Sequence, residues 1–221
     1  MGFLEDNCTF REYNHSKLKD CEPFSCGHQD LDDFFKNDCD DYAYQLLGKT
    51  YCFNLDSNNK KIVCAFTVSN DSVRTKFLPK NKRNKLNRKI PYIKQMGSYP
   101  SALIGRLGVA KEFSGKHYGD ELMDFIKYWF IDPANKTGCR YIVVDAYNED
   151  KPINYYKRNG FEFLFDNETD EKLYSGIKIK LSKKQLLYNR FRRFFNMKEI
   201  VIEGLKTRLM YFDLIVLRLN D

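Results

Sequence analysis

Ala102-Leu-Ile-Gly-Arg-Leu-Gly-Val109 leads through three residues into Phe113-Ser-Gly-Lys-His-Tyr-Gly-Asp-Glu-Leu-Met123. The first run is apolar enough for a buried strand. The second begins as a glycine loop and becomes a helix. From Tyr118 to Phe130 the apolar residues Leu122, Met123, Phe125, Ile126, Trp129 and Phe130 fall on one helical face, and Pro133 lies just past the end. A strand that turns through Gly115 and Gly119 into a helix exposes first-turn amides. With the helix dipole and Lys116, these suit an anion the size of a pyrophosphate. Glycine also serves any tight strand-to-helix turn, so by itself this segment leaves both readings open.

Downstream, Tyr141 to Ala146 reads as a buried strand and Ile153 to Arg158 as a short helix closed by Asn159-Gly160. Glu162 to Phe165 and Arg208 to Leu214 read as further strands. Upstream, Phe10 to Tyr13 is a short first strand. Asp30 to Leu47 places Leu31, Phe34, Phe35, Tyr42, Leu46 and Leu47 at roughly helical spacing, with its acids at the start, where the dipole favours them. Thr50 to Leu55 and Ile62 to Ser69 are rich in aromatic and β-branched residues and flank the turn Asp56-Ser-Asn-Asn59, a hairpin pattern. The alternation of strand and helix from Ala102 onward argues an α/β fold with some parallel pairing.

The chain has 221 residues, 43% hydrophobic and 15% aromatic, which fits one globular domain spanning 1–221. No apolar run is long enough for a membrane span. MGFLEDNCTFREYN shows neither a signal-peptide pattern nor, with Asp6 in place of Ser or Thr, a myristoylation site, so the expected location is cytoplasmic. Seven scattered cysteines without a CxxC or paired histidines argue against disulfides and against a metal site. The net charge of +7 is concentrated in two stretches, Arg74 to Lys94 and Lys178 to Arg193. They lie within two regions of little periodicity, about 73–98 and 167–206, that read as basic insertions. Such stretches attract phosphate backbones, and they also occur as ordinary solvated loops.

Taken together, the two central segments resemble the GNAT superfamily of N-acetyltransferases. Ser114 to Gly119 aligns with that family's cofactor motif (Arg or Gln, two residues, Gly, one residue, Gly or Ala). Ile153-Asn-Tyr-Tyr-Lys-Arg-Asn-Gly-Phe161 aligns with the x-x-F-Y-x-x-x-G-F part of its A-x-x-F-Y-x-x-x-G-F signature. Phe24-Ser-Cys-Gly-His-Gln-Asp-Leu-Asp-Asp-Phe-Phe35 resembles the F-x-C-G opening of one bacterial branch. Ile104 to Val109 resembles its L-G-R-L-A-V strand, and Thr207 to Leu214 its closing strand. Ser114 departs from the family's Arg or Gln and His117 from its glycine.

The resemblance implies an α/β GNAT fold: a mixed, mostly antiparallel sheet with a central splayed parallel pair, here Leu103–Val109 and Tyr141–Tyr147, and helices on both faces. It implies acetyl-CoA as cosubstrate. Leu107, Gly108 and Val109 would hold the pantetheine arm. Ser114, Gly115, Lys116, His117, Tyr118, Gly119 and Asp120 would hold the pyrophosphate, and Asn148 would contact the cofactor. Tyr156 aligns with the family's general acid, whereas Glu112, His28 and a water chain all stand as candidate bases. The bacterial branch includes toxins that acetylate the α-amino group of aminoacyl-tRNA and are silenced by ribbon-helix-helix antitoxins. The expected partners are therefore acetyl-CoA, tRNA through segments 74–94 and 178–193, such an antitoxin, and a second copy of the chain as a homodimer. Transfer to a small amine or protein amine is the alternative enzyme reading. A non-catalytic nucleic-acid-binding or regulatory module on the same scaffold is the alternative outside enzymology.

Overall fold

The computed structural model describes residues 2–16, 18, 20–177, 183–195, 197 and 204–218. In chain order the elements are α1 (Phe3–Asn7), β1 (Cys8–Glu12), α2 (Gln29–Asp33), a π-helical turn (Phe34–Asp38), α3 (Cys39–Tyr44), β2 (Lys49–Leu55), β3 (Asn58–Val73), α4 (Lys80–Asn87) and β4 (Tyr99–Val109). There follow α5 (Tyr118–Ile131), β5 (Tyr141–Tyr147), α6 (Asp150–Arg158), β6 (Glu162–Phe163), α7 (Glu168–Tyr174), α8 (Lys183–Phe194), β7 (Thr207–Asp213) and α9 (Ile215–Arg218). The strands form one sheet in the order β1-β2-β3-β4-β5-β7-β6. Among the described residues only β4 and β5 pair in parallel. Fold class, parallel pair and strand alternation agree with the sequence reading.

Strand alternation sends side chains to two separate cores. On β5, Ile142, Val144 and Ala146 join the core containing Leu122, Met123 and Ile126 of α5, all three fully buried. Tyr141 and Val143 point the other way, into a core with Leu86 of α4, Leu164, Phe165 and Tyr211. Helices therefore cover both faces. No helix among the described residues is long and apolar enough to cross a membrane.

The helix expected over Asp30 to Leu47 is broken. Phe34 and Phe35 are adjacent and both buried, which one regular helical stripe cannot accommodate, and the wider π turn re-phases the chain between α2 and α3. Leu46 and Leu47 fall beyond α3, where they are exposed, and Leu46 takes a positive φ of 60°.

The segment 73–98, expected as an aperiodic loop, is largely folded. It carries α4, anchored by buried Leu78 and Leu86, and Tyr141 donates a hydrogen bond to the Leu86 carbonyl at 3.4 Å. Lys82 pairs with Asp166 at 2.6 Å and Lys85 pairs with Glu162, so part of the basic charge is neutralised internally. One buried leucine in a helix of eight residues gives too little periodicity to reveal it. In the second basic stretch, Lys178 and Lys180 lie outside the described residues, whereas α7 and α8 give the region 167–206 helical structure.

Three possible metal-ligating groups, His15, Cys39 and Asp40, come together beside the π turn. Each has a protein partner: His15 Nδ1 lies 3.0 Å from Asp40 Oδ2, and Cys39 Sγ donates to the Phe35 carbonyl at 3.3 Å. Because Leu86 is the buried anchor of α4, Leu86→Ala should lower stability by about 2–5 kcal/mol, read by urea unfolding. A loop in that region would lose well under 1 kcal/mol.

Candidate active site

β4 and β5 are hydrogen-bonded neighbours only from Ser101↔Tyr141 to Ile104↔Val144. At that point β4 carries one residue more than β3: Thr67 pairs with Arg106 and Val68 with Ile104, leaving Gly105 in a bulge. The bulge turns β4 away from β5. β4 then continues to Val109 against β3, and β5 to Tyr147 against β7. The inner edges of both strands open onto a cleft of about 780 Å³. It is lined by Leu107, Gly108 and Val109 of β4, by Ser114, Gly115, His117, Tyr118, Gly119 and Asp120, and by Tyr156 of α6. Gly108 is needed for close approach, since a Cβ there would lie 3.0 Å from the Cys26 Cβ.

Between β4 and α5 the chain makes one 3-10 turn (Lys111–Phe113) and then passes through Gly115 at φ 80° and His117 at φ 63°. A left-handed histidine is uncommon and costs about 1 kcal/mol. Here the imidazole reaches Asp120 one turn on, Nδ1 to Oδ2, at 2.9 Å. The same carboxylate accepts bonds from Arg158 Nη2 at 2.9 Å and Asn159 Nδ2 at 2.8 Å. Burial pushes the Asp120 pKa up, but the hydrogen bonds from Arg158, His117 and Asn159 outweigh it and hold the carboxyl below its ordinary value. Tyr155 donates to the Gly119 carbonyl at 2.5 Å, and a Cβ on Gly119 would meet its ring at 3.2 Å. The first turn of α5 is thus fastened to α6, and its amides of Tyr118 and Gly119, which a helix leaves without internal partners, sit in the cleft wall.

Tyr155 and Tyr156 are neighbours with different situations. The Tyr155 hydroxyl is committed to Gly119. Tyr156 packs its ring on Tyr155 and Phe161, with centroids at 5.1 and 5.4 Å, and among the described residues nothing bonds its hydroxyl. Burial raises its pKa, so at neutral pH the phenol keeps its proton.

Two of the sequence-assigned residues stand apart from the cleft wall. Lys116 lies with its Nζ 5.9 Å from the Phe113 ring. Asn148 spends its amide on the Leu205 carbonyl at 2.9 Å and on Glu168 at 3.3 Å. Of the candidate bases, Glu112 is paired with Lys61 at 2.6 Å and lies outside the lining, whereas His28 lines the cleft, its ring 4.7 Å from that of Tyr147.

Sequence reasoning missed Cys26, Arg106, Asp145 and Tyr147, which also line the cleft. A charged residue inside the otherwise apolar run Tyr141 to Tyr147 was the available signal for Asp145. Although its surface opens onto the cleft, the Asp145 carboxyl is flanked by protein. This desolvation, with the nearby charge of Asp71, holds its pKa above the ordinary value. Cys26 donates its thiol to Asp32 Oδ1 at 3.2 Å, and burial raises its pKa to about 11.

Residues 85–163, which contain β4, the glycine loop, α5, β5 and α6, match the family model of the acetyltransferase (GNAT) domain. No curated protein matches the chain in sequence. Among solved structures, a tyrosine-to-phenylalanine mutant of KacT is similar with a TM-score of 0.62 at 16% identity, covering 98% of this chain and 100% of KacT. AtaT complexed with acetyl-methionyl-tRNAfMet gives 0.59 at 16% identity, covering 97% and 99%. An AtaT mutant toxin bound to the C-terminus of the antitoxin AtaR and acetyl-CoA gives 0.53 at 13% identity, covering 97% and 98%. At these identities the likeness establishes the fold. The family match covers the cleft-forming segment, so residues 85–163 are similar to the acetyltransferase (GNAT) domain.

Proposed function

We propose that this protein transfers the acetyl group of acetyl-CoA to a primary amine, and that the amine is the α-amino group of an aminoacyl-tRNA. The observation that carries the transferase reading is the inner edge of β4 from Gly105 to Val109, free of any strand partner and leading to the open first turn of α5. An extended amide-bearing chain such as pantetheine can occupy that edge as a further strand does, with its pyrophosphate at the helix start. The residues fit the group: Gly108 keeps the strand wall flat, and Gly115 and His117 in left-handed geometry turn the loop toward the cleft. Bound there, acetyl-CoA supplies an activated thioester. A backbone N–H of the β4 edge would stabilise the oxyanion, and Tyr156, protonated and unbonded, would give its proton to the departing sulfur.

The tRNA acceptor is favoured by the AtaT complex with its acetylated tRNA and by basic residues that have no ion-pair partner among the described residues, among them Lys80 and Arg83 of α4 and Arg88 at its C-cap. Phosphate contacts from such residues give affinity without reading sequence. A small antitoxin of the ribbon-helix-helix kind is the expected protein partner, by analogy with AtaT bound to AtaR.

Radiolabelled acetyl-CoA offered to charged tRNA, deacylated tRNA, polyamines and a generic protein tests the reading. Label is expected only on charged tRNA. Label on a polyamine or a protein would keep the enzyme and retire the tRNA acceptor. Tyr156→Phe should lower kcat about 10²–10⁴-fold while acetyl-CoA affinity is retained.

Asp120→Ala frees His117 and parts α5 from α6. It should weaken acetyl-CoA binding in calorimetry and lower stability by about 1–3 kcal/mol. Since the folded Asp120 pKa lies below the unfolded value, its contribution is complete at neutral pH and disappears as pH falls through the folded pKa. The stability gap between wild type and Asp120→Ala should therefore close below about pH 4.

A further inference from the structure

The cleft passes between β4 and β5 and so has two sides. Tyr156 and the first turn of α5 occupy the side of Ile142, Val144 and Ala146. Asp145 alternates with those residues and lies with Tyr141 and Val143 toward the opposite face. Arg106, partner of Thr67 just past the bulge, stacks its guanidinium 4.9 Å from the Phe34 ring on that same face.

Nearly every acid around this second face is already engaged. Asp30 accepts from Tyr147 at 2.5 Å, and Asp32 accepts from Ser25 and from the Cys26 amide, each at 2.7 Å. Glu171 of α7 pairs with Arg208 of β7 at 2.8 Å. Asp71 of β3 accepts from the Ser72 amide at 2.6 Å. Of the three carboxylates lining the cleft, Asp120 holds the loop, and Glu149 stands at the N-cap position of α6, off the sheet, without a side-chain cap hydrogen bond. Asp145 alone stands on a splayed strand, without a hydrogen bond or ion pair among the described residues. Arg106 is nearly as uncommitted: among the described residues its guanidinium bonds only its neighbour's carbonyl, Gly105 O, at 2.8 Å, and its Nε is buried without a hydrogen-bond partner. A carboxylate and a guanidinium left unpaired on either side of one opening are arranged for a ligand that carries a cation and an oxygen acceptor together.

Resting on the acetyltransferase reading, we propose that Asp145 and Arg106 form the acceptor subsite: Asp145 binds the incoming ammonium and takes its proton, and Arg106 holds the acyl oxygen of an α-amino ester. The ammonium gives one proton to Asp145, and the freed nitrogen lone pair attacks the thioester carbonyl carbon from the second face. As the C–N bond forms, the C–S bond breaks with its electron pair on sulfur. Tyr156 protonates that sulfur from the first face, and the second nitrogen proton restores the phenol through solvent. The charges near Asp145 are Asp71 from β3 and Glu171, itself paired with Arg208, from α7 and β7, while Arg106 lines the same cleft from β4. Burial first, and then the charge of Asp71, make the carboxylate a better base.

The test measures kcat/KM for acetyl transfer from acetyl-CoA to charged tRNA and to methionine methyl ester across pH 5.5–9.5. At pH 7, Asp145→Asn should lose ~100-fold or more with both acceptors and recover steadily toward high pH, where solvent deprotonates the amine. Its acetyl-CoA affinity should equal that of wild type, and Asp145→Glu should restore part of the neutral-pH rate. Arg106→Gln should raise KM for the ester with kcat retained. An Asp145→Asn profile parallel to wild type, or an unchanged KM in Arg106→Gln, overturns the subsite while leaving the transferase intact. Absence of transfer by wild type to these acceptors or to polyamines overturns the acetyltransferase reading and the subsite with it.

Discussion

The bulge at Gly105 governs the geometry of the whole cleft. A sheet holds its strands about 4.8 Å apart as long as hydrogen bonds run between them, and at that spacing nothing can enter. By placing one extra residue in β4 opposite Thr67–Val68, the chain ends its pairing with β5 at Ile104 while keeping its pairing with β3. The cost is a row of unsatisfied backbone groups along the inner edge, a cost that a ligand with its own amides can offset. Everything else in the cleft is arranged around that opening: the loop at one end of β4, the tyrosine of α6 beside it, and the two uncommitted charges beyond it.

The loop illustrates how local strain is supported by tertiary structure. His117 adopts a conformation glycine would take freely, and a single carboxylate, Asp120, stabilises it while receiving Arg158 and Asn159. Because Arg158 and Tyr156 lie on α6 and Asn159 at its C-cap, the first turn of α5 and the proposed proton donor share one rigid mount. Displacing α6 would disturb both.

Much of this was legible in the sequence. Strands rich in apolar, aromatic and β-branched residues and the strongly amphipathic α5 announced themselves, and the glycine loop marked where β4 met it. Tyr156 came from a motif, and what set it apart from Tyr155 needed coordinates: a hydroxyl bond to Gly119 in one and none in the other. α4 was invisible because its eight residues bury one leucine and draw their remaining support from Asp166 and Glu162, eighty residues away in the chain. The π turn was hidden because two adjacent phenylalanines satisfy a helical pattern only approximately. Asp145 and Arg106 were overlooked because a charge within an apolar strand acquires meaning only when the strand's neighbour departs.

Cys26 has a chemical consequence of its own. A thiol in the wall of an acyl-transfer cleft invites exchange with a thioester, which would strand the acyl group on the protein. Only a thiolate attacks efficiently, and burial against Phe24 and Gly108, with the proton directed at Asp32, keeps this sulfur in its neutral form up to a pH of about 11. The cleft thereby contains a sulfur that fills space without acting as a nucleophile, so this thiol does not compete with an incoming amine for the acyl carbon.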